Sequence, residues 1–161
     1  MKAISVFLVI ITLAIMAKGL SAQTETRDMI IERRELMFAM LGSYWPLLNI
    51  ANNKSTDLNK AGSAAKTISD AMKRSLQLFP TGTSRDEAEG TWSRAKPEIW
   101  SKYSEFEEAA KKLVVESEKL AAVAKEGNLD KFKEQFQLVE QACTACHGLK
   151  PTSGGKFRFE K

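Results

Sequence analysis

Apolar and large residues recur along this chain in alternating steps of three and four, the spacing that lines one face of a helix. From Ile30 the positions are Ile30, Met37, Met40, Tyr44, Leu47 and Ala51, and Arg33 fills the one place without an apolar residue. The pattern therefore predicts a first helix with a guanidinium on its buried seam. A second stretch reads Leu58, Ala61, Ala65, Ile68, Met72, Ser75 and Phe79 and ends before Pro80, after which the polar segment Thr81 to Arg94 predicts the longest loop. Pro97 then takes a favoured first-turn position. A third stretch runs through Ile99, Tyr103, Phe106, Ala110, Leu113, Ser117, Leu120 and Ala124 to a stop at Gly127. Asn128 caps the fourth helix and Asp130 complements its dipole. The apolar places Leu129, Phe132, Phe136 and Val139 lead on the same step to Cys143 and Cys146. No stretch alternates as a strand would, and the prolines fall near helix ends or in loops. Four amphipathic helices of about 20 residues, joined by short connections and one longer loop, predict an all-α fold, an antiparallel four-helix bundle.

Length and the N-terminus set the domain plan. The 161 residues and 43% hydrophobic content suit one core. Residues Met1 to Ala22 read as a cleaved secretory signal peptide: Lys2 supplies the charge, Ala3 to Ala17 the apolar run, and Gly19, Ser21 and Ala22 the small residues near the cut. An apolar run of about 15 residues is short against the roughly 20 needed to span a bilayer. The plan is a signal peptide over 1–22 and a single domain over 23–161, with no membrane attachment after cleavage. Without Lys2 and Lys18 the basic residues fall from 24 to 22 against 20 acidic ones, a net charge of +2. No basic run stands apart from the acids, which argues against nucleic acid as a partner.

The segment Cys143-Thr144-Ala145-Cys146-His147 carries the chemistry. On a helix both sulfurs and the imidazole share a face, and in an exported protein such thiols must be bridged, bound to metal or consumed by a cofactor. A redox dithiol of the thioredoxin type needs a βαβ context that is absent. Zinc needs about four ligands, and the chain has no other cysteine or histidine. A disulfide over so short a loop contributes little and leaves His147 unexplained. The motif instead fits covalent haem c, one per chain, with thioethers at Cys143 and Cys146 and His147 on the iron. His147 is the only histidine, so the sixth position is left to a methionine, to a weaker ligand such as lysine, or to none. Arg33 has two readings: a partner for a haem propionate, or a side chain that snorkels to water from a slightly rotated helix.

Together these residues resemble the class II c-type cytochromes, the cytochrome c-prime family. The resemblance is carried by Arg33-Arg34-Glu35-Leu36-Met37, by Ala95-Lys96-Pro97-Glu98-Ile99-Trp100-Ser101 with Phe106, by Gly127-Asn128-Leu129-Asp130-Lys131, and by Cys143 to His147. It implies a periplasmic haem protein with His147 as proximal ligand and the first helix as distal wall. Met37 falls on the distal position, where the side chain either blocks the sixth site, admitting nitric oxide or carbon monoxide, or binds the iron of an electron carrier; Met40 lies one turn on. The resemblance favours Arg33 beside the propionates, and a homodimer through the first two helices. Relatives follow the histidine with an aromatic residue and an arginine, whereas here Gly148-Leu149-Lys150-Pro151 breaks the helix and Phe157-Arg158 comes only after Gly154-Gly155. Whether Arg158 reaches the proximal side is open at this point. The expected function is one-electron transfer with redox partner proteins, not enzymatic turnover. A five-coordinate binder of nitric oxide or carbon monoxide ranks second, and a peroxidase third, since the distal side has no histidine to move protons.

Overall fold

The computed structural model describes residues 2–88, 90–148 and 154–158, with side chains from residue 23 onward. Four long helices form the bundle: α1 (Lys2–Ala51), α2 (Leu58–Ser75), α4 (Tyr103–Glu126) and α5 (Leu129–His147), with a short α3 (Glu98–Ser101) before α4. The predicted all-α bundle is what forms. Among the described residues there is no strand, only an isolated antiparallel bridge between Ala95 and Arg158. No described helix is long and apolar enough to cross a membrane. The expectation of a signal peptide falls on side chains outside the described ones.

The helix ends follow local chemistry. Asp57 accepts from Lys60 N at 3.0 Å to cap α2, and Asn128 does the same for α5 through Lys131 N at 3.0 Å. Gly127 closes α4 in the left-handed conformation. Two predicted features differ. The third stretch is broken at Lys102, because Ile99 is buried in a side cluster and the Trp100 indole donates to the carbonyls of Phe79 and Pro80 at 3.1 and 3.0 Å, turning α3 away from the line of α4. Pro46 stands inside α1 rather than at its edge. It leaves the Gly42 carbonyl without an intrahelical donor, and Gly42 is exposed, so water can serve it.

Packing follows the seams. The core is built from Leu47, Ile50, Ala61, Ala65, Ile68, Leu120, Phe132, Phe136 and Val139, each at most 2% exposed. Phe132 and Phe136 stack with centroids 6.5 Å apart, and burial of each such side chain is worth roughly 1.5 to 3 kcal/mol. A second, smaller cluster of Ala95, Ile99, Phe106 and Phe157 gathers Phe79, Trp100 and Cys146 around it at the C-terminal end of α5. The helix α5 thus ends between two apolar clusters.

Candidate functional site

Cys143, Cys146 and His147 occupy the last turn of α5. Cys143 packs against the bundle core and Cys146 against the smaller cluster, so the two sulfurs straddle the junction. They form no disulfide. Burial pushes both thiols up to about 11, the opposite of the depressed value that marks a nucleophilic redox dithiol. Burial, aided by the charge of Arg158, pushes His147 down to about 4, so its imidazole is neutral at pH 7 and free to donate a lone pair. No group of three or more His, Cys, Asp or Glu that could hold a bare metal ion exists among the described residues.

The helix stops at Gly148, whose N–H returns to Thr144 O at 2.8 Å with φ near 80°. The predicted break is met there, and residues 149–153 lie outside the described ones. The chain then comes back: Phe157 is 3% exposed, packs edge-on to Phe106 at 5.4 Å, and belongs to the cluster that holds Cys146. Arg158 bridges to Ala95 and lies near enough to His147 to act on it electrostatically. The structure therefore brings Arg158 to the side of the motif, across the departure seen in the sequence.

Arg33 is 5% exposed and does not reach water, which removes the snorkelling alternative. Its Nη1 donates to Leu78 O at 3.3 Å and Thr83 Oγ1 at 3.2 Å, and its Nη2 donates to Thr83 O and Ser93 Oγ, both at 2.9 Å. The guanidinium carbon sits 4.4 Å from the centre of the Phe79 ring. All four acceptors are neutral. Burial lowers Arg33 to about 10, which still leaves it a cation at neutral pH, so among the described residues a buried positive charge is held by neutral oxygens and the face of the Phe79 ring. Phe79 packs on Phe106 at 4.8 Å and Phe106 on Phe157, which places this charge at the same end of the bundle as the motif. A buried cation, two buried thiols and a neutral imidazole at one end of the bundle together fit a porphyrin with its propionates and iron.

Met37 and Met40 lie one turn apart on α1. Both touch the bundle core, with Met40 buried and Met37 half-buried. Four further residues were not legible as site residues. Tyr44 of α1 donates to the carboxylate of Glu140, one turn before Cys143, and its ring packs on Phe136 at 5.6 Å. Thr83 and Ser93, partners of Arg33, come from the long loop and carried no signal in sequence. Gly155 was signalled only by the Gly-Gly pair ahead of Phe157.

A family model described as "Cytochrome C'" matches residues 28–148. A cytochrome c' of Rubrivivax gelatinosus is 30% identical over 119 residues, 73% of this chain and 89% of that protein. Its crystal structure superposes with a TM-score of 0.69 at 26% identity, covering 83% of this chain and 96% of that one. A ferrous variant of the Alcaligenes xylosoxidans protein with nitric oxide bound gives a TM-score of 0.68 at 21% identity, covering 84% and 97%.

Proposed function

The chain belongs to the cytochrome c' family of proteins with covalent haem c, and from that premise we propose that it is an exported one-electron carrier of the bacterial periplasm. Cys143 and Cys146 hold the haem through thioether bonds, His147 supplies the proximal nitrogen, and Met37 supplies the distal sulfur. Haem, when bound there, would supply the one-electron chemistry of ferrous and ferric iron. The protein's own part is to hold that group in a fixed, mostly apolar frame, so that little rearranges between the two states, and no substrate is turned over.

The observation that carries this reading is the position of Met37. It lies one turn beyond the buried Arg33 on α1, half-buried rather than sealed into the core as Met40 is. Methionine ligation raises the potential and closes the iron to gases. Arg33, a buried cation whose hydrogen-bond acceptors among the described residues are all neutral, supports a role beside a haem propionate, and Arg158 beside His147 supports tuning from the proximal side. The exposed apolar stripe of Ile31, Phe38, Leu41 and Trp45 on α1 supports a homodimer through the first two helices.

The absorption spectrum of the ferric protein tests the assignment. A long-wavelength charge-transfer band of the kind given by methionine sulfur on haem iron, lost in Met37→Ala, is the expected result. A high-spin spectrum with ready carbon monoxide binding would reject it in favour of a five-coordinate gas binder, the reading supported by the nitric oxide complex of the Alcaligenes protein.

A further inference from the structure

A metal ligand in the last turn of a helix stands where the helix is weakest. The final four carbonyls have no intrahelical donor, and such ends fray. In α5 these belong to Thr144, Ala145, Cys146 and His147, so the whole haem motif from its second sulfur onward depends on outside partners. Gly148 serves Thr144. The next service comes from the returning segment 154–158. Phe157 N donates to Cys146 O at 3.4 Å, Phe157 O accepts from Lys96 N at 3.2 Å, and Lys96 Nζ donates to Gly155 O at 2.6 Å. The segment is thereby tied both to the motif and to the loop before α3.

Its fit leaves no slack at Gly155. A Cβ at that position would stand 2.5 Å from Gly148 N and from the carbonyl carbon of His147, and closer still to Cys146 O. Every one of these obstacles is main chain of the motif, so no rotamer change relieves the clash. Two residues on, the buried Phe157 ring fills the apolar cluster against which Cys146 lies.

We propose that Gly155 and Phe157 are positioning residues for His147: the strap 154–158 lies flat on the Cys146–Gly148 peptides, locks the last turn of α5, and keeps water from that side of the site. The inference rests on His147 being the iron ligand. The strap acts through the main chain that carries the imidazole, as outer partners of metal ligands do elsewhere.

The test uses holoprotein from a host that matures c-type cytochromes, with haem loading followed by intact mass. Gly155→Ala and Phe157→Ala are expected to keep their haem but to show altered ferric electron paramagnetic resonance g-values. Their midpoint potential should fall, because admitted water favours the more highly charged ferric site. Phe157→Leu, which keeps an apolar plug, restores the potential, and Lys66→Ala, which removes an exposed ion pair with Asp70 on α2, leaves both readouts unchanged. Parent-like g-values and potential in Gly155→Ala and Phe157→Ala overturn the proposal. Should those variants not accumulate, amide exchange in the unaltered protein decides: segments 143–148 and 154–158 must be protected and released together, and immediate exchange of 154–158 beside a protected 143–148 overturns it. His147→Ala is measured alongside. If it keeps the parent resonance spectrum, the ligand reading itself falls; if it loses that spectrum while the strap variants do not, the strap alone is refuted.

Discussion

Tyr44 in α1 donates its hydroxyl to the carboxylate of Glu140 in α5, one turn before Cys143, and so ties together the two neighbouring long helices that touch least. Burial and the Glu140 carboxylate both raise the Tyr44 pKa, so the phenol remains a donor well into the alkaline range. The bond spans the side of the bundle on which Met37 and the haem motif are carried.

Tyr44→Phe removes that bond while keeping the ring against Phe136. A hydrogen bond to a charged group in a half-buried place is worth about 1 to 2 kcal/mol, and the variant should lose that much stability in urea unfolding followed by circular dichroism. Unchanged unfolding would mean that the carboxylate finds water equally good.

Arg33→Leu removes four hydrogen bonds from the loop; Thr83 O keeps Ser93 Oγ as a donor and both hydroxyls keep bonds of their own, so the Leu78 carbonyl loses most. The loop from Leu78 to Ser93 should loosen, at a cost of about 1 to 3 kcal/mol from the carbonyl left without a donor, and amide exchange over that loop should quicken. Arg33→Lys does not rescue it, since an ammonium lacks the planar fork that reaches all four acceptors. Loss of the cation should also lower the midpoint potential through the propionate. A potential equal to the parent's would confine Arg33 to holding the loop.

The acid behaviour of the haem-free chain follows from His147. Its folded value, near 4, lies below the ordinary 6.5, so between those two values the unfolded chain binds a proton that the folded chain refuses. Stability is therefore complete above about pH 6.5 and falls as pH drops toward 4, by about 3 kcal/mol over the window. His147→Leu should flatten that slope in urea titrations from pH 4 to 7, and a slope unchanged by the substitution would assign it to other groups.

Most of the bundle was legible because it depends on local periodicity. The seam from Ile30 to Ala51 and the cap at Asn128 need only neighbours within a turn or two. The break at Lys102 was not legible, since its cause is Trp100 reaching carbonyls 20 and 21 residues away. Arg33 could be placed on the seam from its spacing, yet its acceptors lie 45 to 60 residues on, in a loop with no period to read. The motif itself is a spacing of three residue types and could be read whole. Its strap could not, because a glycine pair says that something comes close and never what.

Met37 and Met40 separate by environment. Met40, 8% exposed, is packed among core side chains, so Met40→Ala should cost about 2 to 4 kcal/mol as a cavity and leave the axial spectrum alone. Met37→Ala should do the reverse, with a small loss of stability and a converted spectrum. Exchanged outcomes would move the distal ligand one turn along α1.

The stripe on α1 makes the last prediction. Ile31, Phe38, Leu41 and Trp45 are 38, 63, 50 and 54% exposed, and their spacing keeps them on one face of the helix. A single molecule gains nothing from showing them to water, whereas a two-fold partner would bury each residue twice. Covering Phe38 on both copies is worth about 4 kcal/mol, roughly a thousandfold in Kd. Phe38→Glu loses that gain and sets two carboxylates into the same interface, so sedimentation should show a dimer in the parent and a monomer in the variant. Val115→Glu, on an exposed part of α4, serves as control and should leave the dimer intact. A parent that sediments as a monomer at every concentration would leave the stripe facing some other protein, and the redox partner would become its first candidate.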